Sequence, residues 1–446
     1  MIRPDAPFGK EQKHGNEKSV QAAVWKERFQ EKQSKDNSGA IKTEQEIALA
    51  LLGVALKTQD DPASEVAKLR KESETILSKS NPDYAKAAQL LKRELDLLKK
   101  LHPDGETADF IKPTGSLGHC LLALSKGKGS KEADEYFAKS LKLIDANPKT
   151  DEQGKREQEV YRFSILQAKA SNNRQLAISA TDPKQREAFN IKAEKEFTDA
   201  LAALEKGSKA DDFKKSPDRL KTLISLALVE DALGKKESFA KHKEEIKGHP
   251  DYGAAVQSRL DSGVVMNAVY KVSEKSPELR AIMKEMETEC PWGPKMSVSV
   301  KHDSKATSYD PLRSQMVLGS EIPPEEKPQS YAFAATLGMK QGLSVLYGGD
   351  KPVDLETYMR VQTDRFVAAY QAKAKVAKEQ GVAATIEDKD GKKHDLTKLT
   401  AKEIEDIVVP TNAFIVHCAR GYAGLVENFD SNKRILTKAK LLKKGY

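Results

Sequence analysis

Six of the seven prolines in residues 81–250 cut that stretch into lengths that suit single helices and helix pairs. They occur at Asn81-Pro82, His102-Pro103, Asn147-Pro148, Asp182-Pro183, Ser216-Pro217 and His249-Pro250. Proline has no N–H to give to a helix and pushes the residue before it out of the α region, so each pair marks a boundary. Between the boundaries apolar residues recur at helical spacing. Leu91, Leu95 and Leu98 follow Ala88, and Phe137, Leu141 and Ile144 follow Ala133. The spacing predicts helices over 44–57, 64–78, 84–101, 114–124, 131–144, 158–170, 184–205, 216–233 and 236–247. Helix follows helix in this way to about residue 273, with no period-two run between them.

The small residues in this stretch fall at repeated places. Ala133, Phe137 and Ser140 make a small–large–small set, Ala193, Phe197 and Ala200 make another, and Leu117-Gly118 opens a pair. Ala227 and Gly234 are the small positions of a last, less regular pair. On these residues the region resembles tetratricopeptide repeats, particularly the longer-helix variety of kinesin light chains. The resemblance implies an α-solenoid whose helix pairs bury their apolar faces against their neighbours, and a groove that binds a protein or peptide. A non-repetitive helical bundle has the same periodicity and is the alternative.

After residue 285 the pattern changes. Cys290-Pro291-Trp292-Gly293-Pro294 breaks any helix, and 296–300 and 315–318 alternate as two short strands. Tyr309-Asp310-Pro311 is read as a turn between them. An apolar helix over 330–347 and a long helix over 354–380 follow. This order resembles the zincin metallopeptidases, whose helix carries H-E-x-x-H and whose next helix brings an acidic ligand. Laid on that motif, Ala335, Thr336 and Met339 stand where histidine, glutamate and histidine would be, and Gln362 stands in the later glutamate position, with Asp364 kept. None of the replacements can hold zinc or activate water, so the resemblance implies a zincin-like fold with no metal, no cofactor and no proteolysis. A plain α+β domain of other origin is the alternative.

Other candidate sites are incomplete. His417-Cys418 resembles the start of a cysteine-phosphatase loop, but Gly424 occupies the phosphate-clamping arginine's place and Arg420 comes too early, so Cys418 is read as a core thiol on a helix. His119-Cys120 falls on a predicted repeat helix. His302, His394 and His417 lack ligand spacing, and Gly348-Gly349-Asp350 reads as a turn rather than a phosphate cradle. No catalytic, cofactor-binding or metal residue is assigned.

Composition narrows the function classes. The 75 Lys and Arg against 67 Asp and Glu leave +8 over 446 residues, too thin an excess to call for nucleic acid. Lys433, Arg434, Lys438, Lys440, Lys443 and Lys444, interleaved with Ile435, Leu436, Leu441 and Leu442, form a basic tail read as a solvated helix, with contact to an anionic membrane or to nucleic acid as the alternative. Cys120, Cys290 and Cys418 are too few and too far apart for a disulfide framework or a thiolate zinc site. With no secretory signal at the start, the expected compartment is the cytoplasm, and leaderless export as an effector stays open.

The chain is therefore expected to be mainly α. A polar, mostly disordered arm covers 1–40, tetratricopeptide-like helical repeats cover 41–280, and a smaller α+β domain covers 285–446. The expected role is a protein-binding scaffold or adaptor. The alternative is an enzyme, either a divergent hydrolase or a cysteine-dependent catalyst, with its active site in the C-terminal domain.

Overall fold

The structure, a computed structural model, describes residues 61–288, 297–301, 304, 307–310 and 315–438. The predicted arm over 1–40, the helix over 44–57, the Cys290–Pro294 passage, His302 and the tail residues Lys440, Lys443 and Lys444 lie outside them. The protein is mostly helical, with a small strand-containing region towards the C-terminus. Contacts divide the chain into two compact units at Thr150/Asp151. No helix among the described residues is long and apolar enough to cross a membrane.

In the first unit α1 (Pro62–Leu77), α2 (Tyr84–Leu101), α3 (Ile111–Leu124) and α4 (Lys131–Ala146) each pack on the next. Their starts are set by short polar side chains that accept otherwise unsatisfied N–H groups. Asp83 accepts from Lys86 N at 3.0 Å and Ser130 from Ala133 N at 3.1 Å. The predicted apolar positions are the ones that are buried: Leu91, Leu95 and Leu98 of α2 meet Phe110, Leu117, Cys120 and Leu143 in one core. Each such side chain contributes about 1.5–3 kcal/mol by leaving water, which is how an 18-residue helix can form here although it would be marginal in isolation. The close approach of α3 and α4 depends on a missing side chain. A Cβ on Gly118 would lie 2.7 Å from Cε1 of Phe137, which is fully buried beside Ala133 and Ser140.

The second unit opens with α5 (Glu152–Ser179) and α6 (Pro183–Gly207), the most extensively packed helix pair, followed by the short α7 (Ala210–Lys215). Helix α5 runs well past the predicted 158–170 at both ends. Its outer turns carry polar residues that interrupt the apolar period, yet Asp151 caps its start through Gly154 N at 2.7 Å and its later polar residues bond to α6. Next come α8 (Pro217–Ala232), α9 (Lys236–Lys247), α10 (Ala254–Ser273) and α11 (Pro277–Thr288). Helix α8 packs on α6, α9 and α10, and is apolar on most of its faces for that reason.

Strands β1 (Ser297–Lys301), β2 (Thr307–Asp310) and β3 (Gln315–Gly319) form a sheet in the order β1-β3-β2, with β1 parallel and β2 antiparallel to the central strand. The expected turn at Tyr309-Asp310 is instead strand: Tyr309 pairs with Met316 and Asp310 with Gln315. As an edge strand, β2 takes its conformation from the ladder it makes with β3, which an alternation pattern in its own four residues could not announce.

The predicted helix over 330–347 is two, α12 (Lys327–Met339) and α13 (Leu343–Tyr347). The break is at Gly342, whose φ of +62° suits glycine and whose Cβ, if present, would lie 2.5 Å from Val361 Cγ1. Every residue of α12 from Pro328 to Met339 is buried, because the sheet, α10, α11 and α14 (Leu355–Gln380) surround it. Its core also takes in Val265 and Val269 of α10 and Leu279 of α11. A small hairpin, β4 (Thr385–Glu387) with β5 (Lys393–Asp395), then α15 (Ala401–Val408) and α16 (Asn412–Lys438), build a second core around Phe414, Cys418, Leu425 and Phe429.

Candidate functional site

The α5/α6 pair carries a polar seam inside an apolar one. Ala170, Ala193, Phe197 and Ala200 are all buried at the contact, so the two backbones come close. On the same interface Lys169 pairs with Glu196, and Asn173 donates to Glu196 Oε2 at 2.8 Å. Buried polar groups are tolerable only when bonded, and these contacts satisfy both oxygens of the buried Glu196 carboxylate.

One turn on, the seam opens into a cavity of about 330 Å³. Arg174 of α5, Arg186 and Asn190 of α6, and Asn267, Tyr270 and Lys271 of α10 are among its walls, with the end of α8 closing one side. Glu187 and Glu274 also line it. Arg186 is held firmly: it pairs with Glu274 and donates to the carbonyls of Tyr270 at 3.3 Å and Ala180 at 2.8 Å. Its Nε is nevertheless buried with no acceptor. Asn267 donates to Leu228 O at 2.7 Å and to Asp231 Oδ2 at 2.8 Å, which fixes the Asp231 carboxylate beside the cavity. Burial raises the pKa of Asp231 above the usual carboxylate range, opposed by the bond from Asn267 and by the charges of Arg174, Lys271 and Lys327.

Arg174 is the least satisfied of these groups. Its guanidinium makes one hydrogen bond, from Nη1 to Ser225 O at 3.1 Å, and no ion pair among the described residues. Burial, with a smaller contribution from the like charge of Arg259, lowers its pKa to about 10. A guanidinium has five N–H donors, so most of this one's capacity is unused. The cavity offers no nucleophile with a base beside it. It is equipped to hold a group, and the charge on Arg174 favours an anion.

The residues singled out in the sequence are placed as follows. Ala335, Thr336 and Met339 are buried in α12, with Ala335 and Met339 in the core beneath the sheet. Gln362 of α14 is also buried, and accepts from Arg365 Nη1 at 2.6 Å, while Arg365 Nη2 donates to Leu337 O at 2.9 Å. Arg365 thus ties together the two helices of the zincin-like overlay. Asp364 is exposed. Among the described residues no group of three or more His, Cys, Asp and Glu is gathered in a way that could hold a metal ion.

Cys418 lies within α16, buried against Phe414 and Leu425, and burial raises its thiol to about 11. Arg420 and Gly424 are on the same helix, so the segment has no loop of converging N–H groups. Cys120 is fully buried in α3, its thiol likewise raised to about 11, and His119 sits edge-on to Phe137 with ring centroids 5.2 Å apart. His394 pairs with Asp388 at 2.8 Å, and His417 stands edge-on to Phe366. The Gly349 carbonyl and Asp350 receive Lys433 of α16 at 2.6 and 3.2 Å.

Sequence reasoning did not find Arg174 or Arg186. The trace was present in Asn172-Asn173-Arg174, a polar run lying between the buried Ala170 and Ala177 of one helix. Polar residues flanked by core positions announce a network or a site, but they do not say which. Comparison with protein-family models finds no matching family, and comparison with curated proteins finds no matching relative.

Proposed function

We propose that this protein is a protein-binding scaffold or adaptor, built on tetratricopeptide-like helix pairs and carrying a zincin-like C-terminal part that has lost its metal ligands. The observation that carries this reading is the repeated seam of small residues against a large one. Gly118 faces Phe137 beside Ala133 and Ser140, and Ala193, Phe197 and Ala200 recur at the same spacing on α6. Helix pairs packed in this way are stabilised by their neighbours, and they present surfaces rather than a reaction centre. The polar cavity beside the α5/α6 seam agrees with a role in recognition. The enzyme alternative has less support: Ala335, Thr336 and Met339 are core side chains, and the Cys418 thiol is held protonated by burial.

Recognition through a densely charged surface is steered electrostatically, so association should slow as salt rises beyond physiological strength, where the Debye length is about 8 Å. A random-peptide library displayed on phage and panned against the purified full-length protein tests the reading. Enriched peptides that bind reversibly in fluorescence anisotropy, and that mass spectrometry shows to stay intact, support it. Failure to enrich any sequence, or processing of the bound peptides, would overturn it.

A further inference from the structure

We propose that the cavity between α5, α6, α8 and α10 is a carboxylate-binding site, and that it anchors a partner segment through an acidic side chain or a free C-terminus. The inference rests on the binding reading above and names its chemistry. The central observation is Arg174, a part-buried guanidinium bonded only to Ser225 O and without an ion pair among the described residues. Removing a charge from water is unfavourable unless an opposite charge or a full set of hydrogen bonds replaces the lost hydration. Asp231 attracts Arg174 electrostatically, yet the two form no ion pair and the Asp231 carboxylate is engaged by Asn267 instead. Arg259 adds a like charge near Arg174. The site is thus short of one negative group in the free protein.

The remaining walls define that group. Arg186 Nε is a buried donor with no acceptor, and Lys271, exposed at the rim, makes no ion pair among the described residues. Glu187 and Glu274 line the same space and would repel a dianion, so a singly charged carboxylate suits it better than a phosphate. A volume of about 330 Å³ is at the small end for a ligand pocket, enough for one side chain or a chain terminus.

Four degenerate octapeptide pools, with Glu or Gln fixed at the centre and a free acid or an amide at the C-terminus, separate the sources of the carboxylate. Titrated against the full-length protein by thermophoresis, at least one carboxylate-bearing pool should bind about tenfold or more tighter than the Gln-amide pool, a difference of about 1.4 kcal/mol. The preferred pool identifies side chain or terminus. In Arg174→Met the preference should vanish while the melting temperature holds or rises, since an apolar side chain replaces a part-buried charge that makes no ion pair. Lys271→Met, at the exposed rim, should weaken the preference without affecting folding, and serves if Arg174→Met is poorly folded. Equal binding of all four pools, or an unchanged preference in both variants, would overturn the carboxylate site while leaving the scaffold reading in place. Absence of binding by every pool would overturn the carboxylate site, whereas the scaffold reading is judged by the panning experiment.

Discussion

Replacing Gly118 by alanine tests the seam on which the helix-pair reading depends. The new methyl would lie 2.7 Å from Cε1, 2.8 Å from Cδ1 and 3.2 Å from Cζ of Phe137. Carbon atoms normally rest about 3.5–4.0 Å apart, so the ring or the helix must give by about 1 Å. Phe137 is fully buried and backed by His119, so it has little room to turn. Overpacking of this kind costs about 1–3 kcal/mol, and the better helix propensity of alanine returns about 1 kcal/mol. The expected net effect is a loss of about 0–2 kcal/mol. In a Phe137→Leu background the obstruction is gone, and Gly118→Ala should stabilise by about 1 kcal/mol. Hydrogen exchange followed by mass spectrometry on the full chain reads this locally. Peptides spanning 111–146 should exchange up to about thirtyfold faster in Gly118→Ala than in the parent, and about fivefold slower in the double variant than in Phe137→Leu alone. If Gly118→Ala stabilises the parent as much as it stabilises Phe137→Leu, the two residues are not coupled, and the close packing of α3 on α4 is not what requires glycine.

Two further outcomes are expected. Burial lowers the pKa of His119 from 6.5 to about 4, so between those values only the unfolded chain is protonated. The first unit should therefore lose stability as pH falls from about 6.5 towards 4, by at most about 3 kcal/mol, and His119→Leu should flatten that part of the profile in urea melts read by circular dichroism. A parent and variant with parallel profiles would refute it. In a Cys290→Ser chain, Cys120 and Cys418, both with thiols raised to about 11, should resist Ellman's reagent at pH 8, where about one in a thousand is thiolate, and two equivalents should appear in guanidinium. Rapid native reaction of Cys418 would revive the cysteine-catalyst alternative.

Much of the helical region was legible because its signals are local. The ends of α2 at Tyr84 and Leu101 and of α9 at Lys236 and Lys247 match the breakers and caps around them. The sets Ala133, Phe137, Ser140 and Ala193, Phe197, Ala200 were marked as packing positions by their likeness to the tetratricopeptide motif, and all are buried. Strand β2 was not legible, since it holds its shape only by pairing with β3. The break at Gly342 was missed because it depends on Val361, a residue on another helix.

The sequence by itself determined the mainly α class, the order of most helices and the absence of a zinc-binding motif, because proline geometry, apolar period and ligand chemistry act over a few residues. Only the tertiary structure decided that α10 and α11 share a core with the sheet and α12, and that Arg174, Arg186 and Lys271, far apart in the chain, line one cavity. The physical reason is that burial and charge pairing belong to the packed assembly. Whether an arginine is solvated, paired or left with unused donors depends on which helices surround it.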